Sequence, residues 1–199
     1  MIMFYFCVAL LLWFLKLRNF IYNFMNLQGE NIKLRAPELD DIDWMFDIEN
    51  NDSYWYLSDA FQPFSRWTIE NFIKGQTDIF SEKQYRFVAE DRLHNKIGII
   101  DLYNFAPLHR RVFIGIFIDE LYRNKNYGSQ SISIAVNYCF NILQLHQVCA
   151  LIPASNVASI KLFEKSNFQL QSSRKDWYLI NGIFVDELFY NKFNEYEID

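Results

Sequence analysis

The stretch Asp119-Glu120-Leu121-Tyr122-Arg123-Asn124-Lys125-Asn126-Tyr127-Gly128 joins an apolar, β-rich run at 111–119 to a segment with helical periodicity. In that segment, 128–143, the residues Ile132, Ala135, Val136, Cys139, Phe140 and Leu143 recur at three- and four-residue spacings, the mark of an amphipathic helix. A strand, a polar loop and a helix start, in that order, leave several backbone N–H groups without intrahelical acceptors. Those donors and the positive end of the helix dipole make a site for a pyrophosphate, with Arg123 and Lys125 adding charge nearby. Most strand-loop-helix joints with one glycine are only turns, so the rest of the chain has to decide the matter.

Working outward, Ile32–Arg35 reads as a short strand and 38–50 as an acidic helix carrying Ile42, Met45, Phe46 and Glu49 on adjoining turns. An irregular aromatic stretch, 51–64, precedes a second helix with Ser65 as N-cap and Gly75 at its C-terminal cap. Two β-rich runs, 85–90 and 96–103, flank the polar turn 91–95; with 111–119 they predict an antiparallel meander. Toward the C-terminus, 147–152 is an apolar strand and 156–166 a helix, and Asn181-Gly182 joins two aromatic strands as a tight hairpin. The order βααβββαβαββ predicts an α/β fold: a mixed, mostly antiparallel sheet of about seven strands with helices on both faces.

Composition narrows the function. The chain has 199 residues, 51% hydrophobic and 19% aromatic, enough for one well-packed domain without disulfides or metal. A formal charge of −5 offers no basic field for nucleic acid. Cys7, Cys139 and Cys149 are odd in number and lack paired spacing, and His94, His109 and His146 are scattered. Neither a zinc site nor a disulfide framework follows, and a reducing, cytoplasmic compartment is expected. The apolar N-terminus ends at Lys16 and Arg18, short of a membrane span, and lacks the charge order of a secretory signal. Residues 1–24 are therefore expected to lie outside the fold and 25–199 to form it, with a start of translation near Met25; a membrane anchor is the rival reading.

A second segment completes the pattern. Asn156-Val157-Ala158-Ser159-Ile160-Lys161-Leu162-Phe163-Glu164-Lys165-Ser166-Asn167-Phe168 resembles the N-x-x-S-x-x-L-Y/F-E-K-x-G-F signature of the GNAT acetyltransferase superfamily. The family's pyrophosphate loop, Q/R-x-x-G-x-G/A, is matched by Arg123, Tyr127 and Gly128, with Asn126 in place of the middle Gly. Asn167 replaces the second signature's Gly. Both swaps choose the residue that best tolerates left-handed backbone after Gly. The resemblance spans about residues 30–192. "NILQLHQV" and "DWYLINGIFVDELFY" look most like the subgroup holding spermidine acetyltransferases and ribosomal-protein alanine acetyltransferases.

The resemblance implies an N-acetyltransferase using acetyl-CoA. It implies that the strand 111–119 splays from 147–152, with the pantetheine arm beside the backbone of Ile116, Phe117 and Ile118. The pyrophosphate would lie on Arg123, Asn124, Lys125, Asn126, Tyr127, Gly128 and Ser129, and Asn156, Ser159, Phe163 and Lys165 would complete the cofactor site. Asn156 also suits a helix cap, and Tyr127, Phe163 and Phe168 suit an ordinary core. Many relatives carry a Tyr at the position of Phe163 that protonates the departing thiolate, so the catalytic acid and base are left unassigned. Catalysis can rest mainly on positioning. Eight acids and no Lys or Arg lie between Ala36 and Ser65. With Tyr54, Trp55, Tyr56 and Phe61 they suggest a polyamine acceptor such as spermidine, or else a solvated helix face. A protein N-terminus as acceptor, and a silent acetyl-CoA-binding module, are the other readings. A homodimer is the family expectation.

Overall fold

The computed structural model describes residues 27–52 and 62–195. The expected extension 1–24 and the aromatic residues Tyr54, Trp55, Tyr56 and Phe61 lie outside the described residues. Chain order is β1 (Ile32–Arg35), α1 (Ile42–Glu49), α2 (Arg66–Gly75), α3 (Ile79–Glu82), β2 (Tyr85–Asp91), β3 (Lys96–Ala106), β4 (Arg111–Ile118), α4 (Tyr127–Asn141), β5 (Gln147–Pro153), α5 (Val157–Lys165), β6 (Gln169–Ile180) and β7 (Ile183–Phe193). The sheet runs β1-β2-β3-β4-β5-β7-β6, antiparallel except for β4 beside β5. Among the described residues no helix is long and apolar enough to cross a membrane.

The central strands show why a sheet forms here. Phe87 through Glu90 and Ile97 through Ile100 are buried in unbroken runs, which requires cover on both faces. α4 packs over β1, β3, β4 and β5 through Ile132, Ala135, Val136, Cys139 and Phe140. Gly98 allows the close approach of β3 to β4, since a Cβ there would stand 2.3 Å from the Phe117 carbonyl oxygen.

Element ends differ from the sequence expectation where local hydrogen bonding intervenes. The first helix opens with a 3-10 turn at Leu39–Asp41, because the Asp41 side chain accepts from the Glu38 N–H (2.8 Å). Ser65 caps α2 as expected, its hydroxyl accepting from the Thr68 N–H. Gly75 is not the cap; it is the last helical residue, and Gln76 follows at φ −75. Asn181 and Gly182 both have positive φ (52 and 79), as the two-residue hairpin requires.

Candidate functional site

The parallel pairing of β4 with β5 stops after three residue pairs, Arg111 with Gln147, Val112 with Val148 and Phe113 with Cys149. β5 stays on β7 to Pro153, and β4 stays on β3 to Ile118, so a wedge opens between them. A cavity of about 710 Å³ occupies it, walled by Ile114, Gly115 and Ile116 on one side and Leu151, Ile152 and Pro153 on the other. Asn156, Ser159 and Phe163, at the start and middle of α5, close its end. The expected splay of the two strands is a feature of this fold.

The loop between β4 and α4 has the expected shape. Asn124 and Asn126 sit at φ 62 and 63, left-handed backbone that Gly would adopt most freely. Asn126, the N-cap of α4, makes no side-chain cap bond, so the first-turn amides keep no side-chain acceptor, and no acidic residue occupies that turn. Its Oδ1 instead accepts from Lys165 Nζ at 3.2 Å. Gly128 faces α5, where a Cβ would meet Leu162 Cδ2 at 3.1 Å, so loop and helix are held together. Arg123 is a tether: its Nε donates to the Ile118 carbonyl (3.0 Å) and its Nη1 pairs with Glu120 (3.2 Å). Lys125 lies over the Tyr122 ring at 5.4 Å.

The second motif divides between scaffold and wall. Asn156 caps α5, its side chain accepting from the Ser159 N–H at 3.1 Å, while both residues also line the cavity. Phe163 is 2% exposed and stacks edge-on against Phe168 at 4.9 Å, so the ring is core on one side and wall on the other. Asn167 ends the helix at φ 62, the backbone the signature's Gly would take. Of the expected cofactor residues, Ile116, Asn156, Ser159 and Phe163 thus meet in the cavity. Phe117, Ile118 and the loop from Arg123 to Ser129 adjoin the wedge without lining it, and Lys165 joins loop to helix.

The far wall was missed by motif reading. Arg86 of β2 grips Asp101 of β3 in a two-pronged ion pair (2.7 and 2.9 Å) and also holds Glu49 of α1. Burial alone would lower the Arg86 pKa, but the two carboxylates outweigh it and hold the guanidinium charged. On β6 and β7, Glu187 is 2% exposed and accepts from Arg174 and from the Tyr178 hydroxyl (2.6 Å). The available signal was carboxylate inside two apolar strand runs, Asp101 alone in one and the pair Asp186-Glu187 in the other. The acidic stretch 36–65 is less one-sided than its sequence implies. Asp41 is buried between Arg35 and Lys96, Asp43 pairs with Arg66, and Glu49 with Arg86; Asp59 lies outside the described residues.

A wedge in a mixed sheet beside uncapped helix amides suits an enzyme that transfers an acyl group from a phosphate-bearing thioester, and the chain belongs to the acetyltransferase (GNAT) domain family, which matches residues 31–169. It is 27% identical over 161 residues to the spermidine N(1)-acetyltransferase of Vibrio cholerae, covering 79% of this chain and 90% of that protein. The spermidine N(1)-acetyltransferase of Escherichia coli is 25% identical over 77% of this chain and 81% of that one. The crystal structure of the Vibrio cholerae enzyme in complex with CoA and spermine superposes with a TM-score of 0.73 at 25% identity, covering 81% of this chain and 95% of that one. The chain is accordingly an N-acetyltransferase that uses acetyl-CoA. That co-substrate supplies the acetyl group as a thioester, and the open wedge and uncapped α4 amides fit its length and its phosphates.

Proposed function

We propose that this enzyme acetylates a primary amine of a polyamine such as spermidine. The observation that carries the reading is the composition of the far wall of the cavity that occupies the wedge. That wall combines the rings of Tyr85 and Tyr103 with two arginine–carboxylate pairs, Arg86 with Asp101 and Arg174 with Glu187, and each guanidinium also lies over a ring, Arg86 over Phe72 and Arg174 over Trp177. Rings and carboxylates that already hold two guanidinium cations are a surface suited to the spaced cations of a polyamine. The likeness to spermidine acetyltransferases over about four-fifths of the chain supports the same choice.

Within this reading the backbone of Ile116, Phe117 and Ile118 lies along the pantetheine arm, and one of its N–H groups is the donor for the developing oxyanion. Arg123, Asn124, Lys125, Asn126, Tyr127, Gly128 and Ser129 take the pyrophosphate. Asn156, Ser159, Phe163 and Lys165 hold the other side. The enzyme self-associates, at least as a homodimer; β6 is an edge strand, and the hairpin tip exposes Leu179, Ile183 and Phe184.

Release of CoA thiol from acetyl-CoA by the full chain, across spermidine, spermine, diamines, amino acids and N-terminal peptides, tests the acceptor. The expected result is turnover highest with polyamines. Preference for peptides overturns the assignment in favour of protein N-terminal acetylation, and tight acetyl-CoA binding without turnover of any amine marks a silent module.

A further inference from the structure

We infer that Tyr178 is the proton donor to the departing thiolate and that Glu187 holds it and returns its proton. The inference rests on the acetyltransferase reading, and it does not depend on which amine is the acceptor.

Attack of a neutral amine on a thioester forms a C–N bond and breaks the C–S bond, with the electron pair leaving on sulfur. The nitrogen then carries one proton too many and the sulfur lacks one. Phe163, beside the wedge, has no hydroxyl with which to correct this. Tyr178 lines the same cavity as Ile116, Asn156 and Phe163, and its O–H donates to Glu187 Oε2 at 2.6 Å. In the step we assign, the phenol gives its proton to sulfur, the surplus proton on nitrogen passes to the Glu187 carboxylate, and Glu187 returns it to the phenolate. The net transfer is one proton from amine to thiol, and nothing is oxidised.

The backbone is built to bring the pair together. Arg174 lies opposite Glu187, so an unbroken ladder would put Tyr178 opposite Ile183, four residues and about 13 Å along β7. Instead β6 carries two extra residues between Arg174 and Tyr178, and Tyr178 lies opposite Val185, two residues from Glu187 and on the same face. The bulge turns on Asp176, a non-glycine residue at φ 52 whose N–H is held by Asp186 Oδ1 at 2.9 Å. A bulge that re-aims a side chain next to a cavity is a recurrent device of active sites. Glu187 in turn lies opposite Pro153, the last residue of β5, which places the dyad at the mouth of the wedge. The other charges facing it are Arg174 on β6 and, across the cavity, Arg86 with Asp101, while Asp186 points to the opposite face of β7.

The test uses the full chain and whichever amine the wild type turns over fastest, so failure of the polyamine assignment leaves this outcome readable. Tyr178→Phe keeps the ring and is expected to lower kcat about 100-fold, with calorimetric affinity for acetyl-CoA and near-UV circular dichroism unchanged. Glu187→Gln keeps the hydrogen bond but removes the base, and is expected to lower kcat with acetyl-CoA affinity unchanged. Wild-type kcat and pH profile in Tyr178→Phe overturn the inference. So does a loss in both variants that appears only as weaker acetyl-CoA binding.

Discussion

Asn126 and Asn167 stand at φ 63 and 62, where side chains other than Asn and Asp cost roughly 1–2 kcal/mol per residue. Asn126→Gly relieves that conformation and is expected to bind acetyl-CoA as the wild type does. Asn126→Val forces a β-branched side chain into it and is expected to weaken binding about tenfold, as 1.4 kcal/mol of strain implies; isothermal titration of both variants checks this. These two substitutions were legible in the sequence, because Asn is the one common residue that shares Gly's backbone range cheaply. The role of Arg123 was legible only by half. Its place in the loop was evident, but its bond to the Ile118 carbonyl depends on where β4 ends. Tyr178 and Glu187 lie in a segment whose resemblance was evident, but nothing in it paired the two, since their meeting is produced by a bulge, and two extra residues in a strand leave the alternation of side chains outwardly intact.

At the scale of elements, the start of α1 is fixed by one buried carboxylate. Burial alone would push the Asp41 pKa up, but hydrogen bonds from the Arg35 side chain, the Glu38 N–H and Lys96 outweigh it and hold it at about 2, against an ordinary 3.8. A carboxylate with a depressed native pKa contributes stability above its unfolded pKa and loses it as pH falls through the native one. The offset amounts to about 2 kcal/mol, present above pH ~4 and gone near pH ~2. Urea unfolding at pH 6 and pH 3 is expected to show this acid-side loss in the wild type and a smaller one in Asp41→Asn, which is also less stable at pH 6. The strands and helices themselves were readable from periodicity, down to the hairpin at Asn181-Gly182 and the Ser65 cap. What escaped were features set by contacts far along the chain. Arg35 and Lys96 make the acidic start of the first helix a structural anchor rather than part of an acceptor surface, and both lie outside the stretch whose charge was being read.

Over the whole molecule, the sheet has two unlike edges. β1 is four residues long, whereas β6 runs for twelve and ends in an apolar tip, with Leu179, Ile183 and Phe184 each more than 60% exposed. A long edge strand with such a tip is a template for pairing. Analytical ultracentrifugation is expected to find an oligomer that the double substitution Ile183→Glu, Phe184→Glu shifts toward monomer; an unchanged sedimentation coefficient sinks that assignment. The short contact between β4 and β5 reaches further. Four strands stand on one side of it and three on the other, stitched by three residue pairs at one end and braced by α4 across the back. Mechanically this is a clothes-peg: the two jaws share a spring but not a grip, and whatever lies between them near Ile116 and Ile152 acts as the missing rung. With the co-substrate placed there, as we propose, filling that rung is expected to stiffen both jaws at once and so to make its binding and the rigidity of the acceptor wall a single mechanical event.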